Sequence, residues 1–421
     1  MSEYVISNAK IYSEDQVIES GYVISNAKIY SEDQVIESGY VVSNAKIYSE
    51  DQVIESGYVH IKDGKIEAVE SGVYTGPLTQ HDAEGKILLP GFIDIHIHGG
   101  YGNDAMDASV EGLQHLAENL LSEGTTSFLA TTMTQSEENI NKALETIVAY
   151  KATQNSYNAA EIVGIHLEGP FISEHKIGAQ NPAYVQQPSV EKLKHFQETA
   201  DHNIKILTFA PEVEGADVML EAFKDEIIFS IGHTTADFDQ VNAAVAKGAK
   251  HITHLYNAGT PFLHRAPGDF GAAWTNDDLS TELIVDGVHS HPASIKIAYK
   301  MKGNEHFYVI TDAMRAKGMS EGEYDLGGQT VVVKGKEARL KTGSLAGSIL
   351  RMNQGLKNLL DFTGDTLENA WRTTSLNQAK ALKIDNQKGS IKPGKDADLI
   401  LVDEDINVLT AIKKGKIHAF S

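Results

Sequence analysis

From Pro90 onward, short apolar runs alternate with stretches of helical periodicity. Eight runs can be placed, at 91–98, 126–132, 161–168, 204–210, 227–232, 251–255, 279–286 and 306–311. Continuous apolar runs of this length suit strands buried on both faces, the condition of a parallel sheet. Helical patterns stand between many of them, as at Ser109–Ser122, Glu137–Tyr150, Val190–Thr199 and Ala236–Lys247. Ser136 and Asp237 fall where N-caps belong. Eight βα units in a chain of 421 residues predict an α/β fold built on a (β/α)8 barrel.

The sequence before the barrel is repetitive. Tyr4–Gly21 returns as Tyr22–Gly39 and as Tyr40–Gly57, and the third copy differs only in Val42, where the others have Ile6 and Ile24. Only the third copy runs on into Tyr58-Val59-His60-Ile61-Lys62-Asp63-Gly64-Lys65-Ile66, a strand with an Asp-Gly hairpin signal. Residues 1–39 are therefore expected to be redundant duplicates. Residues 40–89 should join 385–421 in a small β-sandwich domain, and 90–384 should form the barrel.

Composition limits the partners. The net charge of −22 argues against nucleic acid and anionic membrane surfaces. With no cysteine, the chain has neither disulfides nor a thiolate metal site, so any metal must be held by His and carboxylate. No apolar run approaches a membrane span, and the N-terminus lacks a basic region followed by an apolar stretch. The expectation is a cytoplasmic enzyme.

In a (β/α)8 barrel, chemistry sits at the C-terminal ends of the strands. His96 and His98 end the first run, Glu168 the third, His233 the fifth, His254 the sixth, Asp286 and His289 the seventh, and Asp312 the eighth. A single histidine in such a place is usually a satisfied structural group. Histidine or carboxylate at six of eight strand ends is better explained by a metal site. His96 and His98 alternate along a strand and so share a face.

The residues that carry this pattern also carry a resemblance. Pro90-Gly91-Phe92-Ile93-Asp94-Ile95-His96-Ile97-His98-Gly99 and the C-terminal Gly389-Ser390-Ile391-Lys392-Pro393-Gly394 resemble the amidohydrolase superfamily. His166-Leu167-Glu168-Gly169-Pro170 together with Thr253-His254-Leu255-Tyr256-Asn257-Ala258 narrows this to the N-acetylglucosamine-6-phosphate deacetylase family. The resemblance implies Glu168, His233 and His254 as ligands of one divalent metal, with His96 and His98 adding a second that Glu168 bridges. Zinc is favoured by imidazole-rich ligation, and iron, manganese or cobalt fit the same ligand logic. Asp312 would be general base and then general acid. Ala179, Gln180, Asn257, Ala258 and His289 would contact the substrate, Arg265 its 6-phosphate, and Leu345-Ala346-Gly347 the acetyl group. Some members of the family carry His at the Gln180 position, and an amide there cannot carry charge.

His166 is expected to pack beside the ligands, and Asp94 to orient a metal-bound imidazole. The loop Gly259–Gly271 is expected to cover the pocket, and the resemblance implies a homodimer. The activity implied is hydrolysis of N-acetyl-D-glucosamine 6-phosphate to D-glucosamine 6-phosphate and acetate. The alternatives on the same barrel are a purine deaminase or an N-acyl amino-acid deacylase, for which Arg265 would have no phosphate to meet. A non-catalytic relative would be expected to have lost ligands or Asp312, and all are present.

Overall fold

A computed structural model describes residues 39–420, together with the backbone of short strands between Tyr4 and Ile36. Eight strands form the barrel: β1 (Phe92–Ile97), β2 (Thr125–Thr132), β3 (Glu161–Glu168), β4 (Ile204–Phe209), β5 (Ile228–Ile231), β6 (His251–Ile252), β7 (Ser280–Ile284) and β8 (Phe307–Ile310). Each pairs in parallel with the next in sequence order. Between β8 and β1 the ring closes at the C-terminal rim. There the Asp312 amide donates to the His96 carbonyl at 2.8 Å and the His98 amide to the Ala313 carbonyl at 2.9 Å. Leu129, Ile206, Ile284, Tyr308 and Ile310, from β2, β4, β7 and β8, belong to one buried cluster that plugs the barrel interior.

Helices follow the strands in turn: α1 (Val110–Leu120), α2 (Glu137–Thr153), α3 (Val190–Thr199), α4 (Ala216–Phe223), α5 (Phe238–Lys247), α6 (Gly268–Thr275), α7 (Pro292–Lys302) and α8 (Met352–Thr363). Ser136 and Asp237 cap α2 and α5 as expected, and Ser109 and Ser189 cap α1 and α3 in the same way. Each accepts a hydrogen bond from the backbone N–H three residues on, satisfying one of the free donors of the first turn.

Two expectations need correction. The run 251–255 is a strand only over His251–Ile252, because the backbone then turns left-handed, with φ of 29° at His254, 81° at Tyr256 and 49° at Ala258. The segment Gly259–Gly271 is not all loop, since α6 begins at Gly268. A further element was not foreseen. Gly322–Leu326, Gln329–Lys334 and Glu337–Leu340 form a three-stranded antiparallel sheet between β8 and α8. Leu326, Val331, Val333 and Ala338 on it pack against Met133, Met314 and Ala346 of the barrel rim.

The second domain is one eight-stranded mixed sheet. Gly39–Tyr48, Val53–Lys62 and Lys65–Ser71 form its antiparallel N-terminal part, and Leu399–Val402, Val408–Lys413 and Lys416–Ala419 its C-terminal part. Ile87–Pro90 joins the two, parallel to the first strand and antiparallel to Leu399–Val402. The expected sandwich thus takes the form of one continuous hydrogen-bonded sheet, with Val42, Ile47, Val59, Ile61, Leu88 and Leu399 in its own core. The third repeat copy lies within this sheet. The side chains of the first two copies lie outside the described residues; short stretches of their backbone pair antiparallel, as Tyr4–Ile6 does with Tyr22–Ile24.

A buried ion network bolts this sheet to the barrel. Glu161 opens β3, at the end away from the histidines. Its carboxylate meets Lys388 at 2.9 Å and Lys413 at 3.4 Å, and both lysines also meet Asp398 at 2.7 Å. Burial alone would raise the Glu161 carboxyl; the charges of Lys388, Lys413 and Lys414 outweigh it and push the pKa down to about 2.

Candidate active site

The C-terminal rim gathers six buried polar side chains: His96, His98, Glu168, His233, His254 and Asp312. Three of them sit in left-handed backbone, His233 at φ 47°, His254 at 29° and Asp312 at 47°. Such conformations cost a non-glycine residue on the order of 1–3 kcal/mol and persist where the surroundings over-determine them. Here they turn each side chain off its strand and into the barrel mouth. Gly169 follows Glu168 at φ 74°, and a Cβ there would collide with the Thr134 hydroxyl.

The ring nitrogens converge on one carboxylate. Glu168 Oε1 lies 3.2 Å from His233 Nε2, 3.1 Å from His254 Nε2 and 3.5 Å from His96 Nε2, and Glu168 Oε2 lies 3.3 Å from His98 Nε2. Asp312 Oδ1 is 3.2 Å from His98 Nε2 and 3.6 Å from His96 Nε2. His233 and His254 bring their Nε2 atoms to 3.1 Å of each other.

The opposite ring nitrogens say which nitrogen is left to ligate. His98 Nδ1 faces the Thr131 carbonyl at 3.2 Å and His233 Nδ1 faces the Lys176 carbonyl at 2.9 Å. A carbonyl only accepts, so each Nδ1 carries a proton and each Nε2 of the neutral ring turns a lone pair toward Glu168. His96 Nε2 is buried without a hydrogen-bond partner. Lone pairs crowded around a carboxylate need a cation. Separations of this size match the edge of a tetrahedral zinc site, roughly 3.3 Å for ligand bonds of about 2.0 Å. Glu168–His233–His254 and His96–His98–Glu168 each form a group able to hold an ion, and the donor set fits a divalent metal.

In the metal-free protein the same atoms answer one another as charges. Burial opposes ionisation of His98, yet hydrogen bonds to Asp312 and Glu168 raise its pKa to about 10. Burial likewise opposes ionisation of Asp312, and the charge of His96 then brings the carboxyl down to about 2.

A cavity of about 320 Å³ opens over this cluster, in the range of small-molecule sites. Ala179, Gln180, Asn257, Ala258, His289, Leu345 and Gly347 line it, all expected from the sequence. His289 Nδ1 is fixed by the Asp286 carboxylate at 2.7 Å, which leaves Nε2 for a ligand. Both ends of the Gln180 amide are engaged. Its Nε2 donates to Glu168 Oε2 at 2.5 Å while its Oε1 accepts the Thr134 amide at 2.8 Å.

Two expected residues are not brought to the cavity. Ala346 is buried in the cluster beneath the three-stranded sheet, and its amide donates to the Ala338 carbonyl. Arg265 stands exposed on the turn Leu263–Ala266, outside the cavity lining. The guanidinium that does line it belongs to Arg339, on the unforeseen sheet. Its signal in the sequence is the alternation around Val331 and Val333 after the Gly327-Gly328 turn.

Asp94 also departs from expectation. Its carboxylate bonds to the Thr311 hydroxyl at 2.5 Å and the His96 amide at 3.2 Å, not to an imidazole. The carboxylate that meets the far nitrogen of a clustered imidazole is Glu282, 3.0 Å from His96 Nδ1. A lone glutamate inside the strand run Leu279–Val285 was the available signal for it. His166 packs 4.4 Å from the His96 ring and bonds the Ile95 carbonyl and the Thr208 hydroxyl, the packing role expected for it.

A (β/α)8 barrel with a His/carboxylate cluster at its C-terminal rim and a side domain of terminal strands defines a class of metal-dependent hydrolases. The chain belongs to the amidohydrolase family, whose model matches residues 87–418. It is 47% identical over 368 residues to a Bacillus subtilis protein named N-acetylglucosamine-6-phosphate deacetylase, covering 86% of this chain and 93% of that one. Two solved structures of proteins so named are also similar. That from Pasteurella multocida has a TM-score of 0.86 at 32% identity, over 91% of this chain and 100% of its own. That from Thermotoga maritima has a TM-score of 0.81 at 36% identity, over 90% and 99%. Among the described residues no helix is long and apolar enough to cross a membrane.

Proposed function

We propose that this chain hydrolyses N-acetyl-D-glucosamine 6-phosphate to D-glucosamine 6-phosphate and acetate. The observation that carries the chemistry is the convergence of Nε2 lone pairs on Glu168, with Asp312 beside them, under a cavity of ligand size. The substrate rests on the names of the relatives. Glu168, His233 and His254 would hold one divalent ion, and His96 and His98, sharing Glu168, a second. Zinc suits the imidazole-rich set, and iron, manganese or cobalt fit it too. An ion bound there supplies acidification of water and polarisation of the acetyl carbonyl.

The chain's own groups do the rest. Asp312 accepts the proton of the attacking water and returns it to the leaving amine nitrogen. Its carboxylate oxygen stands 3.2 Å from His98 Nε2 at the edge of the cluster, where the attacking water would lie. Gln180 braces Glu168 and brings no charge to the carbonyl. His289 offers Nε2 to a sugar hydroxyl, Asn257 and Ala258 lie along the sugar, and Leu345 and Gly347 enclose the acetyl methyl, with Ala346 packed behind them. Arg265, on the exposed turn Leu263–Ala266, is the proposed phosphate contact. A cytoplasmic homodimer belongs to the same proposal, and the mass of the protein in solution tests the dimer.

Acetate release from the phosphorylated and the plain sugar tests the activity. A preference of at least tenfold in kcat/KM for the phosphorylated sugar is expected (about 1.4 kcal/mol, below the usual range for one charge-assisted contact). Equal rates on both would remove the phosphate from the reading and favour another amide substrate.

A further inference from the structure

Four imidazoles turn Nε2 toward Glu168, but their far sides end on different partners. His98 and His233 back onto main-chain carbonyls, and His254 Nδ1 has no hydrogen-bond partner. His96 alone backs onto a carboxylate, Glu282 Oε2, at 3.0 Å. Glu282 lies on β7 with its side chain fully buried, and its other oxygen, Oε1, has no hydrogen-bond partner. Among the described residues its one ion-pair partner is His96, with no lysine or arginine at hand.

A buried carboxylate so poorly compensated is costly, and it persists where a positive charge lies close by. The ring of His96 separates Glu282 from the space where the second ion would sit. Donation of the Nδ1 proton to a carboxylate makes Nε2 a stronger donor and fixes the plane of the ring. We propose that Glu282 is a positioning residue that sets the affinity of the His96/His98 half of the centre for its ion. This rests on the two-ion reading above.

The geometry rules out a rival use of the same residues. His96, His166 and Glu282 lie close enough to form an ion site of their own. His166, however, gives Nδ1 to the Ile95 carbonyl at 3.0 Å and holds Nε2 against the Thr208 hydroxyl at 2.7 Å, so neither nitrogen is free to ligate. Glu282 is left with one imidazole and one role.

The test is a zinc titration of metal-free full-length protein, read by a competing chromophoric chelator, on wild type, Glu282→Gln, His96→Asn and the double variant. Glutamine keeps the size and an acceptor but removes the charge. The second ion should bind roughly 10–100-fold more weakly in Glu282→Gln, with the first ion and the melting temperature unchanged. In the His96→Asn background the same change should add no further loss, since Glu282 acts through that ring. An unchanged second affinity, equal weakening of both ions, or a further loss without His96 would overturn the proposal. Should Glu282→Gln fail to fold, nitrogen-edited NMR of the zinc-loaded wild type carries the test. A protected, strongly downfield His96 Nδ1 proton is expected, and its absence overturns the proposal. A wild type that takes up a single ion sinks the two-ion reading itself, before any variant is compared.

Discussion

Replacing Asp312 by Asn removes the proposed proton carrier and almost nothing else. The main chain at this position is held by bonds the side chain does not make. Its amide donates to the His96 carbonyl at 2.8 Å and its carbonyl accepts the Ser348 amide at 2.7 Å. Its φ of 47° lies in the left-handed region, which Asn tolerates well. The amide keeps the shape that places Oδ1 3.2 Å from His98 Nε2 and 3.6 Å from His96 Nε2. What is lost is proton transfer in the transition state, worth roughly 10²–10⁴ in rate, or about 3–5 kcal/mol of barrier. The assay is acetate release at saturating N-acetylglucosamine 6-phosphate, with metal content measured on the same sample. The variant should keep its metal and substrate affinity while kcat falls at least about a hundredfold. A variant that is fully metal-loaded and retains a tenth of wild-type kcat would refute the assignment.

Other perturbations have equally definite outcomes. His96→Asn combined with His98→Gln should lower the metal content toward one ion per chain, because Glu168, His233 and His254 form a ligand group without them; elemental analysis showing no metal at all would contradict that division. Arg265→Ala should lower kcat/KM on the phosphorylated sugar by roughly 10–100-fold, the value of a charge-assisted contact, and leave the plain sugar unaffected. An unchanged preference would shift the phosphate to Arg339. Glu161 has a folded pKa of about 2 against an ordinary 4.5, so its stabilisation is complete above about pH 4.5 and is lost as pH falls through 2. Glu161→Gln should therefore cost up to about 3 kcal/mol at pH 7, and denaturant titrations should show the gap narrowing below pH ~4.5; a constant gap would contradict the buried ion network. Removing residues 4–38 stops short of Gly39, which pairs with Lys62 in the sheet, and should leave activity and melting temperature unchanged.

The barrel was legible because strands buried on both faces write continuous apolar runs, and because chemistry at their ends writes His and Glu just where those runs stop. Glu168, His233, His254, His96 and His98 all come together as that pattern required. The length of β6 was not legible. His254 belongs by composition to the run 251–255, and nothing in the residue types reveals that the chain turns left-handed there to aim the ring inward. Asp94 was misread for a related reason. Strand alternation places it on the face of His96, but only the fold shows that Thr311 takes its carboxylate while Glu282 reaches the ring from β7. Arg265 was placed by the family resemblance, and a resemblance does not say on which side of a loop a side chain stands. The three-stranded sheet around Val331 did carry its own alternation, and its Gly327-Gly328 turn is an ordinary hairpin signal.

The central claim is that one cluster both holds the metal and releases acetate. Metal-free protein should be titrated with zinc while acetate release from N-acetylglucosamine 6-phosphate is followed against bound ion. The account predicts no release without metal, activity that rises with occupancy, and saturation at no more than two ions per chain. Full activity in the chelated protein, or a fully loaded protein that releases no acetate, would contradict it.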